Sequence, residues 1–190
     1  MIEVHPRLFV GDEESERAAR GRSDFFVVHA CKEPFHREAL GYTGRGAPRE
    51  HPEYLVAYRP GCTILNLIDA PTVEHISSEA VMAGVQAIAD NIGRANVLVH
   101  CNAGASRSPV IAMIYLALHT DVLDDFDFQG ALHFMRERYP AFAPGIGMTE
   151  YARRIWDGEV VATTPEAAAV EEFVTPRLTP EPGCRVAFRF

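Results

Sequence analysis

Apolar positions in this chain follow two rhythms. Short, uniformly apolar runs occur in "DFFVVHA" at 24–30, "CTILNLI" at 62–68 and "NVLVH" at 96–100. They are too short for helices and too apolar for a sheet wetted on one side, so they read as buried strands. Longer segments carry helical spacing. They are "ISSEAVMAGVQAIADNIG", with Ser77 or Ser78 at its start and Gly93 at its end, and "SPVIAMIYLALHT", with Pro109 in its first turn. "FQGALHFMRERYP", stopped by Pro140, and "MTEYARRIWDG" complete the set. At the front, "IEVHPRLFVG" alternates and reads as one short edge strand, and "DEESERAARGR" reads as an exposed helix closed by Gly21. Strand and helix alternate, which predicts an α/β fold. The expected architecture is a central, mostly parallel twisted sheet of four to five strands flanked by helices on both faces.

Two segments keep neither rhythm. Residues 32–60 hold four prolines and three glycines, with three tyrosines between them in no regular order, and read as a long loop or inserted excursion. Residues 158–190 carry Pro165, Pro176, Pro180 and Pro182 among acidic residues and read as a Pro/Glu-containing tail. Its last stretch, "CRVAFRF", alternates as an edge strand would. The division expected is one domain over 1–157, with the excursion at 32–60 inside it, and a tail over 158–190. There are no internal repeats.

Composition narrows the function classes. The chain has 190 residues, 47% hydrophobic and 23% charged, as ordinary globular domains do. Its net charge is −8 and Lys32 is its sole lysine, which argues against nucleic acid or an anionic membrane as partner. No basic-then-apolar leader opens the chain, and no apolar run approaches the roughly 20 residues of a membrane span. A cytoplasmic location is the expectation. Cys31, Cys62, Cys101 and Cys184 form no CxxC, and the histidines show no HExxH, so neither a metal nor a cofactor is expected. Cys31 and Cys62 read as buried hydrophobes, with a reversible disulfide to Cys101 left open.

The chemistry concentrates in "VLVHCNAGASRSPVIAMIYL" at 97–116. A helix N-terminus leaves its first N–H groups unpaired and carries partial positive charge. The small-residue loop Asn102, Ala103, Gly104, Ala105 and Ser106 turns further N–H groups toward the same concavity, which makes an anion site. Arg107 adds a planar fork matched to two phosphate oxygens. Cys101 ends the strand facing that site. Helix N-termini and neighbouring arginines favour thiolates, so the expected reaction is attack on a phosphate monoester through a phosphocysteine. The leaving oxygen needs a proton. In a parallel sheet the strand ends share one edge, and Asp69, leaving the strand 62–68, is the carboxylate delivered there. Glu74 is the second candidate. Ser108 either caps the helix or hydrogen-bonds the sulfur and eases its departure. His100 reads as a donor that orients the loop rather than as a base.

"HCNAGASRS" at 100–108, continuing as "PVIAMIYL", resembles the cysteine-dependent phosphatases, and the dual-specificity family most closely. That resemblance implies a phosphatase domain over 1–157 with Cys101 as nucleophile, Arg107 as phosphate clamp and Ser108 as leaving-group partner. It implies Asp69, 32 positions before Cys101, as general acid. "LFVGDEESERA" and "RYPAFAPGIGMTEYARRI" are similar to the family's first and closing segments. Three features depart from the pattern, one of them the tail after 158, which has no counterpart in the family. The 32–60 excursion is longer than usual, and Gly145 stands where the family often has asparagine. The neutral loop differs from phosphoinositide phosphatases, which place lysines there. Ser106 stands where glycan phosphatases usually have glycine. The expected substrate is therefore a phosphorylated protein carrying phosphotyrosine, with phosphoserine and phosphothreonine as further candidates. Two alternatives remain open at this point: a phosphopeptide-binding module with little turnover, and a phosphatase for RNA 5′ ends or another non-protein phosphate.

Overall fold

The computed structural model describes residues 1–159. Six strands form one sheet: β1 (Ile2–His5), β2 (Leu8–Gly11), β3 (Phe25–His29), β4 (Val56–Arg59), β5 (Cys62–Leu65) and β6 (Asn96–His100). Their order across the sheet is β1-β2-β6-β3-β5-β4. The central four strands β2, β6, β3 and β5 run parallel, and the two edge strands β1 and β4 are antiparallel to their neighbours. The sheet is thus mostly parallel as expected, with six strands instead of four to five.

Both extra strands come from hairpins. "IEVHPRLFVG" reverses at Pro6-Arg7, where Arg7 takes φ 65°, so one alternating run becomes β1 and β2. Alternation continues through such a turn, and the pattern alone does not mark the reversal. β4 lies inside the stretch read as irregular and returns as β5 through Pro60-Gly61. The excursion proper therefore ends near residue 55. It contains a helical stretch, Lys32–His36, kinked at Glu33, and α2 (Arg37–Leu40).

Helices cover the two faces unequally. α1 (Glu13–Ala19) lies on one face, where Ala19 packs with Phe25, Val27 and Leu98. α3 (Ser78–Asn91) and α4 (Arg107–His119) lie on the other with Val28, Val97 and Val99, and α5 (Phe128–Arg138) and α6 (Ile146–Trp156) pack behind α4. Successive strand side chains point to opposite faces, which is why β6 buries Val97 and Val99 on one side and Leu98 on the other. α4 is buried from Arg107 through Leu116, as its unbroken apolar sequence requires. The tail from residue 160 onward, with its "CRVAFRF" strand expectation, lies outside the described residues.

Candidate active site

The carboxyl ends of β2, β6, β3 and β5 meet at one edge, and the loop from Cys101 to Ser106 sits there. β2 ends at Gly11, whose carbonyl accepts from Cys101 N (3.3 Å) and from Ser108 Oγ (3.2 Å). Gly104 has φ +72°, and a Cβ there would lie 2.7 Å from the Tyr139 hydroxyl and 3.0 Å from the Gly11 carbonyl oxygen. Only glycine meets both demands. Tyr139 backs the loop from the end of α5, and burial pushes its phenol up to about 12.

Cys101 is buried, and Ser108 Oγ donates to its sulfur at 3.3 Å. Ser108 is therefore placed as a sulfur partner. It is not the cap of α4, because it lies inside the helix. The residue at the cap position is Ser106, and it does not cap either. Its hydroxyl donates to Asp69 Oδ1 (2.9 Å) and accepts from Gly145 N (3.0 Å). The first N–H groups of α4 receive no side-chain cap from Ser106 and face the loop.

Arg107 is buried to 8% exposure and held at both ends of its fork. Nη1 donates to Leu67 O (3.2 Å) and Nη2 to Asn102 Oδ1 (2.9 Å). Its Nε is buried with no hydrogen-bond partner among the described residues. A guanidinium has five N–H donors, and of the Arg107 nitrogens Nε is the one buried without a protein partner among the described residues. Buried donors without partners cost about 1–3 kcal/mol each. Such an arrangement fits a residue kept ready for an oxyanion.

Asp69 is exposed and is tied to the loop through Ser106. Gly145 lies against it, and a Cβ there would stand 3.0 Å from Asp69 Oδ1. Glu74 is exposed farther along the same segment; its carboxyl is held low by its own backbone N–H and by Thr72, and no hydrogen bond links it to the loop. Asn102 is a brace. Its Nδ2 donates to Glu13 Oε1 in α1 (2.7 Å) and to Glu33 O in the excursion (2.8 Å). Ala105 O accepts from Ala143 N (2.9 Å), while Ala103 is exposed at the loop's rim.

His100 points away from the thiol face, toward α1. Its Nε2 meets His29 Nδ1 at 2.7 Å, with Phe35 of the excursion stacked on His29. Burial pushes His29 down to about 4 and His100 down to about 3, the latter lowered further by His29 itself. His29, Ser106's contact with Asp69, Tyr139 and the bracing by Asn102 were not singled out in the sequence. Their partners lie far apart along the chain, and no local motif marks them. Cys31, Cys62 and Cys101 are free thiols; burial pushes Cys31 up to about 12 and raises Cys62. Among the described residues no cluster of metal ligands occurs and no helix is long and apolar enough to cross a membrane.

No family model and no curated protein sequence matches the chain. Solved structures do match in fold. Human DUSP28 superposes with a TM-score of 0.54 at 16% identity, covering 83% of this chain and 93% of that one. The human tyrosine phosphatase-like serine/threonine/tyrosine-interacting protein gives 0.54 at 19%, covering 82% and 94%. PTPMT1 in complex with PI(5)P gives 0.53 at 15%, covering 82% and 94%. The chain is similar to these in architecture over most of both lengths, and its α/β fold is the one expected from the loop motif.

Proposed function

We propose that this chain is a phosphoprotein phosphatase that hydrolyses phosphotyrosine, with phosphoserine and phosphothreonine as further candidate substrates, through a phosphocysteine. The observation that carries this reading is the unpartnered Arg107 Nε beside an uncapped helix N-terminus and the Cys101 thiol. These groups supply donors for three phosphate oxygens and a nucleophile beneath the phosphorus. In the first step Cys101 Sγ bonds to phosphorus, the bond to the leaving oxygen breaks, and Asp69 gives that oxygen a proton. In the second step water attacks the phosphocysteine, Asp69 takes its proton, and the departing sulfur is stabilised by Ser108 Oγ–H. Inorganic phosphate leaves. No metal or cofactor takes part in this scheme.

The fold neighbours act as a guard on the substrate. One is named as phosphatase-like and interacting, and another is bound to PI(5)P. The decisive experiment compares turnover of an aryl phosphate, a phosphotyrosyl peptide, a soluble phosphoinositide and a 5′-phosphorylated RNA by the protein and by its Cys101→Ser variant. The expected result is hydrolysis of the aryl and peptide esters that falls at least about a thousandfold in the variant. Turnover that survives the substitution overturns the mechanism. Tight phosphopeptide binding without phosphate release would make the chain a binding module, and preference for the lipid or RNA ester would overturn the substrate class.

A further inference from the structure

A groove of about 570 Å³ runs along α3, and no step of the proposed reaction uses it. Its α3 wall is a stripe at helical spacing, with Glu79, Met82, Ala83, Gln86 and Asp90. Phe26 of β3, Tyr58 of β4 and Leu118 of α4 also line it. Phe26, Met82, Ala83 and Leu118 pack against the core yet stay half-buried, and Tyr58 is 64% exposed. Apolar surface of this kind gains free energy when it is covered.

The chain carries a segment whose pattern matches the groove. In "CRVAFRF" at 184–190, Cys184, Val186, Phe188 and Phe190 alternate with Arg185, Ala187 and Arg189. An extended backbone sets the apolar four on one side and the two arginines on the other. Residues 160–183 hold Glu166, Glu171, Glu172 and Glu181 against Arg177, whereas 184–190 hold two arginines and no acid. The groove has the complementary sign. Glu79 and Asp90 are exposed, and neither has an arginine or lysine partner among the described residues. Arg94, also on the lining, turns its guanidinium to Asn91 Oδ1 (2.8 Å). Eleven positions of helix separate Glu79 from Asp90, about 16 Å and three turns, so both carboxylates lie on one side of α3. Arg185 and Arg189 would stand about 13 Å apart in an extended segment, and their long side chains cover the difference.

The path of the chain favours the same face. α4 starts at the Cys101 loop and ends at His119, and α6 starts next to Gly145, beside Asp69, and ends at Trp156. Trp156 Nε1 donates to Phe126 O (3.2 Å), in the segment that follows α4. The described chain therefore ends near the end of α4 whose Leu118 and His119 line the groove. The 24 residues from 160 to 183 can span up to about 80 Å when extended, several times the radius of gyration of about 15 Å expected for such a domain. The outer edge of β4 is a poorer host for an added strand. Tyr58 N donates to Glu53 Oε1 (3.3 Å) and Tyr58 O accepts from Arg59 Nη1 (2.7 Å), so backbone groups that a further strand would need are engaged.

We propose that residues 184–190 of this same chain dock in this groove, with Val186, Phe188 and Phe190 on its apolar lining and Arg185 and Arg189 at the carboxylates of Glu79 and Asp90. The groove is then an intramolecular docking surface, and the acidic stretch 160–183 is the tether that closes it. The proposal stands apart from the phosphatase reading, because no residue of the Cys101 loop takes part.

Cys184 is a built-in reporter, since it shares the apolar side of the segment and docking shields its thiol. The 190-residue chain is labelled with iodoacetamide, and the rate at Cys184 is read by mass spectrometry of its peptide, natively and in urea. Cys31, buried in the core, serves as the control that each variant stays folded. Cys184 is expected to label at least about tenfold more slowly in the native chain than in urea, after correction for the intrinsic rate of a free thiol there. Phe188→Ser with Phe190→Ser is expected to abolish that protection, and so is Glu79→Arg with Asp90→Arg. Adding Arg185→Glu and Arg189→Glu to the groove pair is expected to restore it, since opposite charges then meet again. Labelling of Cys184 at the unfolded rate in the parent chain overturns the docking. Protection that survives reversal of the groove charges puts the segment on another surface, such as the β1 edge, and overturns this groove as its host. Protection that fades on dilution makes the occupant the segment of a second copy and overturns the intramolecular assignment.

Discussion

At the scale of single residues, the loop motif was legible because its chemistry is local. Cys101, Arg107 and Ser108 stand within eight positions, and strand, small-residue loop and helix follow in order. Asp69 was reachable only through topology, as the residue leaving a parallel strand one crossover away. Its partner Ser106 was not reachable, because nothing in "GASRS" says that the serine turns from its helix to a carboxylate 37 positions back. The proposed acid role of Asp69 predicts an unequal loss. Asp69→Asn is expected to lower turnover about a hundredfold for alkyl phosphates and little for activated aryl esters, whose oxygens leave without a proton. Steady-state rates across leaving groups of graded pKa check this, and a flat loss counts against it. Ser108→Ala is expected to slow thiolate departure more than attack. A burst of phenol release in stopped flow, absent from the parent protein, would report the phosphocysteine accumulating.

At the scale of elements, the long strands and helices follow their hydrophobic periods, and the pattern misleads where two elements share one period. β1 and β2 look like one strand in the sequence because alternation runs on through Pro6-Arg7, and the prolines and glycines around β4 hide it. The glycines in the turns that carry the site make sharp predictions. Gly104→Ala requires φ +72° of an L-residue and sets a Cβ against Tyr139 and Gly11. A loss of at least about 1–2 kcal/mol in stability is expected, together with most activity. Urea unfolding and aryl phosphate assays check both, and wild-type behaviour would show that the loop adapts. Gly145→Asn restores the residue the resemblance leads one to expect, but here its Cβ would lie 3.0 Å from Asp69 Oδ1. The expected outcome is displacement of Asp69, read as a loss on alkyl phosphates with activated esters spared. A gain in activity would show instead that an asparagine amide can hold the carboxylate.

At the scale of the whole molecule, the asymmetry of the two faces matters. α1 covers one side almost alone, and on that side the buried imidazoles of His29 and His100 meet, with Phe35 stacked on His29. Both imidazoles titrate lower folded, at about 4 and about 3, than the 6.5 of the unfolded chain. Below pH 6.5 the unfolded chain therefore binds protons that the native state refuses. Stability is complete above that pH and falls by up to about 1.4 kcal/mol per unit for each ring toward pH 4. His36 and His119, also lowered by burial, act in the same direction. Urea midpoints at pH 7.5 and 5.0 check this, with a clear fall expected at the lower pH and an unchanged midpoint counting against a neutral pair. The unpartnered guanidinium nitrogen of Arg107 acts at this scale too. A tetrahedral oxyanion seated on that nitrogen would stabilise the fold, and the proposed reaction releases one. Inorganic phosphate should therefore behave as both competitive inhibitor and thermal stabiliser, raising the melting temperature by mass action as its concentration passes its Kd. Vanadate and sulfate should follow suit while chloride does not, and in the proposed reaction the released phosphate would set how far a reaction mixture can run before the site is filled.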